Sequence, residues 1–172
     1  STLDIIPNEI ALIGAQQSEV EIPEKTEHEL KTMDQLIGTN AFIDDFTDNL
    51  MAYGNIREYH NFDWTWNATA AAAGFNPSAN DGRWDFDAFY KKLHDAGIRV
   101  NVAVQGWQKT DESVDWDDPL SYTEYAASMY QYAARYGSTV VDESMLNLLP
   151  DNEPLTGLGY VPILEFGNEQ DN

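Results

Sequence analysis

Asp85–Gln105 reads Asp-Phe-Asp-Ala-Phe-Tyr-Lys-Lys-Leu-His-Asp-Ala-Gly-Ile-Arg-Val-Asn-Val-Ala-Val-Gln, and it holds one complete helix-to-strand unit. Phe86, Phe89, Tyr90 and Leu93 recur at helical spacing, which predicts a helix over about 85–96 with one apolar face. Asp85 precedes it as a cap and Gly97 stops it. Ile98–Gln105 follows at once, and its β-branched residues make it the strongest strand candidate in the chain. A helix that returns directly to a strand is the closing half of a β-α-β crossover, the unit of a parallel sheet.

The same pattern extends outward. Upstream, Leu36–Phe42 is a short apolar strand candidate. Asp44–Tyr53 carries Phe46, Leu50 and Tyr53 at helical spacing before Gly54, and Asn55–His60 is a second strand. Downstream, Ser121–Tyr136 is a helix with Tyr122, Tyr125, Met129, Tyr132 and Tyr136 along one side. Ser121 and Glu124 are spaced as a capping box, and Gly137 follows. Tyr160–Phe166 is a fourth strand candidate with Pro162 near its start. Residues 138–159 are too long for a plain turn, and Thr139-Val140-Val141 is a candidate for a small extra strand there. The order β-α-β-α-β-α-β predicts an α/β fold with a parallel sheet and right-handed crossovers. Residues 1–35 lack this pattern and read as an irregular lead-in, leaving 36–172 as the patterned domain.

Composition narrows the function classes. Nine Lys+Arg stand against 30 Asp+Glu in 172 residues, a formal charge of -21. Nucleic-acid binding begins with cations neutralising phosphates, so nucleic acid is not the expected partner, and neither is an anionic membrane surface. The absence of cysteine removes disulfides and thiolate chemistry. The three histidines have no metal-ligand spacing, and Asp81, Asp85 and Asp87 fit no EF-hand register, so neither a metal nor a cofactor is expected. No apolar run approaches the roughly 18–20 residues of a membrane span. Ser1–Asp4 lacks the basic start of a signal peptide, as a mature secreted protein would after processing.

In an α/β fold, sites gather at the C-terminal ends of the strands. The segments there are long and aromatic: Asn61–Arg83 carries Trp64 and Trp66, and Gly106–Leu120 carries Trp107 and Trp116. The fourth strand runs into Gly167-Asn168-Glu169. A carboxylic acid in that position can serve as general acid or base if its pKa is raised, and the adjacent Asn168 amide can donate to a substrate hydroxyl. Arg57 lies on the second strand and His60 at its end.

Asn168-Glu169 after strand four, Ile56-Arg57-Glu58-Tyr59-His60 on strand two, and the run Asp87–Ile98 resemble the clan A retaining glycoside hydrolases, a group of (β/α)8 TIM barrels. Xylosidase-like and agarase-like families are among the candidates. The resemblance covers about 36–172 and implies that the chain is the first half of such a barrel, strands one to four. It also implies that Glu169 is the acid/base, that Arg57 orients the nucleophile, and that Asn168 assists. The expected partner is a carbohydrate substrate, in an extracellular or cell-surface setting.

His60 would bind a sugar hydroxyl or serve as a structural histidine. Gln105 and Trp107, with Trp64 and Trp66, would line the cleft, the indoles stacking on sugar rings or packing the loops. Two features depart from the clan. Gln170 replaces the usual proline, and the sequence closes three residues after Glu169, whereas a full barrel needs about 250 residues. The nucleophile half would therefore come from further chain or from a second chain. The other reading is a non-catalytic carbohydrate-binding or structural surface protein on the same scaffold.

Overall fold

The computed structural model describes residues 32–67, 73–78, 84–105 and 117–168. All of these fall within the unit Lys31–Asn172. The larger elements are β1 (Gly38–Ala41), α2 (Thr47–Leu50), β2 (Asn55–Asn61), α3 (Phe86–Asp95), β5 (Arg99–Gln105), α4 (Thr123–Tyr136) and β6 (Ile163–Phe166). Smaller ones are a helical turn α1 (Met33–Leu36) and a two-stranded antiparallel pair, β3 (Trp66–Asn67) with β4 (Gly74–Phe75). The main sheet is β1-β2-β5-β6, and every neighbouring pair in it is parallel. The chain is thus a mixed α/β protein whose long strands lie side by side in chain order.

β2 shows how the sheet divides its two faces. Its burial alternates strictly, with Ile56, Glu58 and His60 buried and Asn55, Arg57, Tyr59 and Asn61 half-buried. Successive side chains of a strand point to opposite faces, so the first set enters the core and the second faces away from it. α3 and α4 both cover the core face. The ring of His60 lies 4.5 Å from Phe86 of α3 and 5.1 Å from Tyr132 of α4. Val100, Val102 and Val104 of β5 join Phe86, Phe89, Tyr90, Leu93, Met129 and Tyr136 in the same core.

Asp85 caps α3 as its sequence predicts, its carboxylate accepting from the backbone N–H of Ala88 at 2.9 Å. Gly97 has φ of +75°, the left-handed stop that glycine adopts without a Cβ penalty. Gly137 ends α4 for another reason: a Cβ there would lie 2.5 Å from the carbonyl oxygen of Ala133.

Several local expectations are corrected. The second helix is a single turn, Thr47–Leu50, and only Leu50 of the expected face is buried, while Phe46 is exposed. α4 begins at Thr123 without a side-chain cap, and Glu124 instead accepts from the indole N–H of Trp66 at 2.9 Å. The fourth strand is shorter than 160–166 and starts at Ile163, just past Pro162, which has no N–H to give a ladder.

Thr139–Val141 forms no strand. The long segment instead folds back on the end of α4. The backbone N–H groups of Gly157, Leu158, Val161 and Gly159 donate to the carbonyls of Ala134, Arg135, Tyr136 and Gly137. These are the carbonyls a helix end leaves unpaired. The length of the linker is spent on capping the helix and delivering the chain to β6.

Arg135 pins this arrangement. It is buried, donates bidentately to Asp87 of α3 at 2.8 and 2.5 Å, and donates to the Glu153 carbonyl at 2.7 Å. Removing one partner of a buried pair strands the other. Arg135→Met is expected to cost about 3 kcal/mol, read as a lower urea midpoint at unchanged slope. An unchanged midpoint would show that the pair does not hold α3, α4 and the linker together.

Candidate functional site

The face turned away from the helices carries the polar groups. Arg57 projects from the middle of β2, and across β5 it meets Glu165 of β6. Its Nε donates to Glu165 Oε2 at 2.8 Å and its Nη2 to Oε1 at 2.5 Å, a bidentate fork. The same Nη2 donates to Asn168 Oδ1 at 3.0 Å. From the intervening strand, Asn101 donates to Glu165 Oε2 at 3.3 Å. The guanidinium also sits 4.7 Å from the centroid of the Tyr59 ring. Tyr59 in turn stacks on Phe42, with centroids 5.5 Å apart and planes at 24°. Nearer the strand ends, Gln105 donates to Asn61 at 3.2 Å.

The electrostatics follow from the fork. The hydrogen bond from Arg57 holds the Glu165 carboxyl below its ordinary value, a smaller desolvation effect opposes this, and Asn101 adds to the lowering. Hydrogen bonding to Glu165 raises Arg57 in turn, against desolvation. The pair is partly open to solvent, with side-chain exposures of 25% and 37%.

On the core face of β2, a second polar group is sealed in. Tyr90 donates to Glu58 Oε2 at 2.8 Å, and the hydroxyls of Tyr90 and Tyr132 are bonded to each other. His60 Nε2 lies 2.8 Å from Thr65 Oγ1, and its Nδ1 is 3.6 Å from Glu58 Oε2. Burial drives the phenols of Tyr90, Tyr132 and Tyr136 well above their ordinary range, and the acidic neighbours Glu58 and Asp87 add to this.

The residues proposed from sequence therefore separate. Arg57 and Asn168 come together, and Gln105 shares their face with Asn61. His60 takes the structural one of its two readings: it has no exposed surface and its ring packs against Phe86, Tyr132 and Trp64 in the core, not on the face of Arg57. Trp66 takes the packing alternative, since it is buried and bonded to Glu124. Trp64 is half-buried in an aromatic cluster with Trp84 and Phe86. Glu169 and Trp107 lie outside the described residues.

Of the acidic trio, Asp85 caps α3 and Asp87 binds Arg135 and Tyr136. Two participants were not foreseen. Tyr59 was within reach, because it stands two residues from Arg57 and must share its face. Glu165 was not, because its place beside Arg57 depends on the register of β6 against β5, which no local pattern encodes.

No protein-family model matches the chain, and no match is found among curated proteins or solved structures.

A carboxyl with a depressed pKa favours the folded state at neutral pH, and that contribution is lost as pH falls through the folded pKa. An NMR titration of Glu165 is expected to show a midpoint below the ordinary 4.5, and Arg57→Ala should raise it. A parent midpoint at or above the ordinary one would mean the fork does not persist in solution.

Proposed function

We propose that this chain forms the first half of a (β/α)8 barrel of a retaining glycoside hydrolase, with Glu169 as the acid/base. One observation carries the reading: Arg57 on the second long strand is hydrogen-bonded to Asn168, the residue immediately before Glu169. In the clan that the sequence resembles, the acid/base neighbourhood and the arginine that serves the nucleophile belong to one cleft. Here their counterparts are joined on the face of a parallel sheet opposite α3 and α4, Arg57 from the middle of β2 and Asn168 from just past the end of β6.

The chemistry needs two carboxyls about 5–5.5 Å apart across the glycosidic bond. Glu169, protonated, gives its proton to the departing glycosidic oxygen. A carboxylate from the second half of the barrel attacks the anomeric carbon, forming the glycosyl-enzyme. Glu169, now ionised, then takes a proton from water as that water releases the sugar. Arg57 holds the attacking carboxylate ionised, because a neighbouring cation favours the charged form. Asn168, its oxygen bound to Arg57, has amide N–H donors for a sugar hydroxyl. The substrate is a polysaccharide or oligosaccharide met outside the cell, and the remaining strands come from the same or a second chain.

A specific observation favours a second reading. Arg57 already holds a carboxylate, Glu165, in a bidentate fork. A face neutralised in this way suits a carbohydrate-binding or structural surface protein that keeps the barrel scaffold without turnover.

The two readings part in one experiment on the intact protein. Glu169→Gln is expected to slow hydrolysis of a polysaccharide or aryl glycoside by about 10²–10⁴-fold while leaving glycan binding in place. Hydrolysis at an unchanged rate would refute the acid/base assignment. Glycan binding without any hydrolysis by the parent would establish the second reading.

A further inference from the structure

We infer that Glu165 is a positioning residue for hydrolysis: it holds Arg57 by one edge of the guanidinium, so that the other edge is offered to the attacking carboxylate. The inference rests on the hydrolytic reading above and adds to it a residue that the resemblance does not name.

The strand registers show what the fork does to Arg57. Arg57 is level with Asn101 of β5, and Asn101 is level with Ile163 of β6. Glu165 lies two residues further on, level with Ala103 and, across it, with Tyr59. At about 3.3 Å per residue, its strand position is roughly 7 Å further along the sheet than that of Arg57. The pull on the guanidinium is toward the C-terminal ends of the strands, where Asn168 follows β6 and where parallel sheets gather their sites. Ala103, between Tyr59 and Glu165, has only a methyl group to place on this face, so Arg57 can reach across it.

A guanidinium carries five N–H groups. The Nε hydrogen and one Nη2 hydrogen go to Glu165, and Nη2 also donates to Asn168. Among the described residues, none accepts from Nη1. The fork therefore fixes the guanidinium without exhausting it, and a second carboxylate can accept from Nη1. Asn168 and the Tyr59 ring restrain Arg57 from two more sides, and Asn101 restrains Glu165. Hydrogen bonding from Arg57 holds the Glu165 carboxyl low, so Glu165 stays ionised while Glu169 has to keep its proton.

An arginine side chain has many rotamers. An orienting group that wanders costs rate more than it costs substrate binding. Glu165 in this role touches neither the substrate nor the reacting atoms, and acts through Arg57.

The test is a double-mutant cycle on the intact protein, assayed on xylan, β-glucan and agarose and on the matching 4-nitrophenyl glycosides. Glu165→Gln keeps the size of the side chain and removes the carboxylate. It is expected to lower kcat by about 10–100-fold, with KM changed by less than about threefold and with near-UV circular dichroism showing the fold unchanged. In an Arg57→Ala background the same substitution is expected to cost less than about twofold, because residues that act as one unit are not additive. An unchanged kcat in Glu165→Gln, or an additive loss in the double variant, overturns the inference; the hydrolytic reading still stands if Glu169→Gln slows turnover. A change in KM alone overturns it too, since Glu165 would then bind substrate instead of placing Arg57. A parent that cleaves none of these probes contradicts the hydrolytic reading, and the inference falls with it.

Discussion

The two-residue alternation of β2 is the constraint on which the rest depends. Arg57, Glu58, Tyr59 and His60 are consecutive, and all four bear polar or titratable atoms. The pleat sends Glu58 and His60 into the core against Tyr90 and Tyr132, and sends Arg57 and Tyr59 to the opposite face. A slip of one residue would exchange the pairs. It would bury a guanidinium among aromatic rings and expose a carboxylate built to accept from Tyr90. The core network and the candidate site are thus two results of one register.

That register reaches the site only if β6 arrives in the right place. Glu165 meets Arg57 across the whole width of β5, so the fork closes once the chain has come back past α4. The 138–159 segment makes this possible by giving its backbone donors to the last carbonyls of α4, with Val161 bonded to Tyr136 just before the strand begins. Arg135, tied to Asp87 and to the Glu153 carbonyl, fixes the same segment from the side. The helix end, the linker and the ion-paired face are therefore mechanically linked, although the residues concerned are far apart in sequence.

Much of this was legible in the sequence because it is periodic. Phe86, Phe89, Tyr90 and Leu93 mark α3, and the valines of 98–105 mark β5; both pack as their spacing demands. The parallel α/β class follows from those units. What the sequence hides is what depends on non-local partners. His60 ends a strand beside an aromatic loop and reads as a site residue, yet tertiary packing seals it between Phe86 and Tyr132. Ser121 and Glu124 have capping-box spacing, yet the Trp66 indole claims Glu124. Glu165 becomes a partner of Arg57 only through the register of β6 against β5. Arg57 and Asn168 stand out in the sequence through a resemblance to a clan pattern and Gln105 through its place at a strand end; the fold joins the first two by a hydrogen bond.

The central proposal is that the face of the sheet opposite α3 and α4, organised by Arg57, Glu165 and Asn168, receives the sugar. The most direct test is a structure determined with a bound neutral oligosaccharide. The account predicts a sugar lying across that face, within hydrogen-bond reach of Asn168 and stacked near Phe42 and Tyr59. An oligosaccharide seated on the helix-covered side, or ordered elsewhere with this face empty, would contradict it.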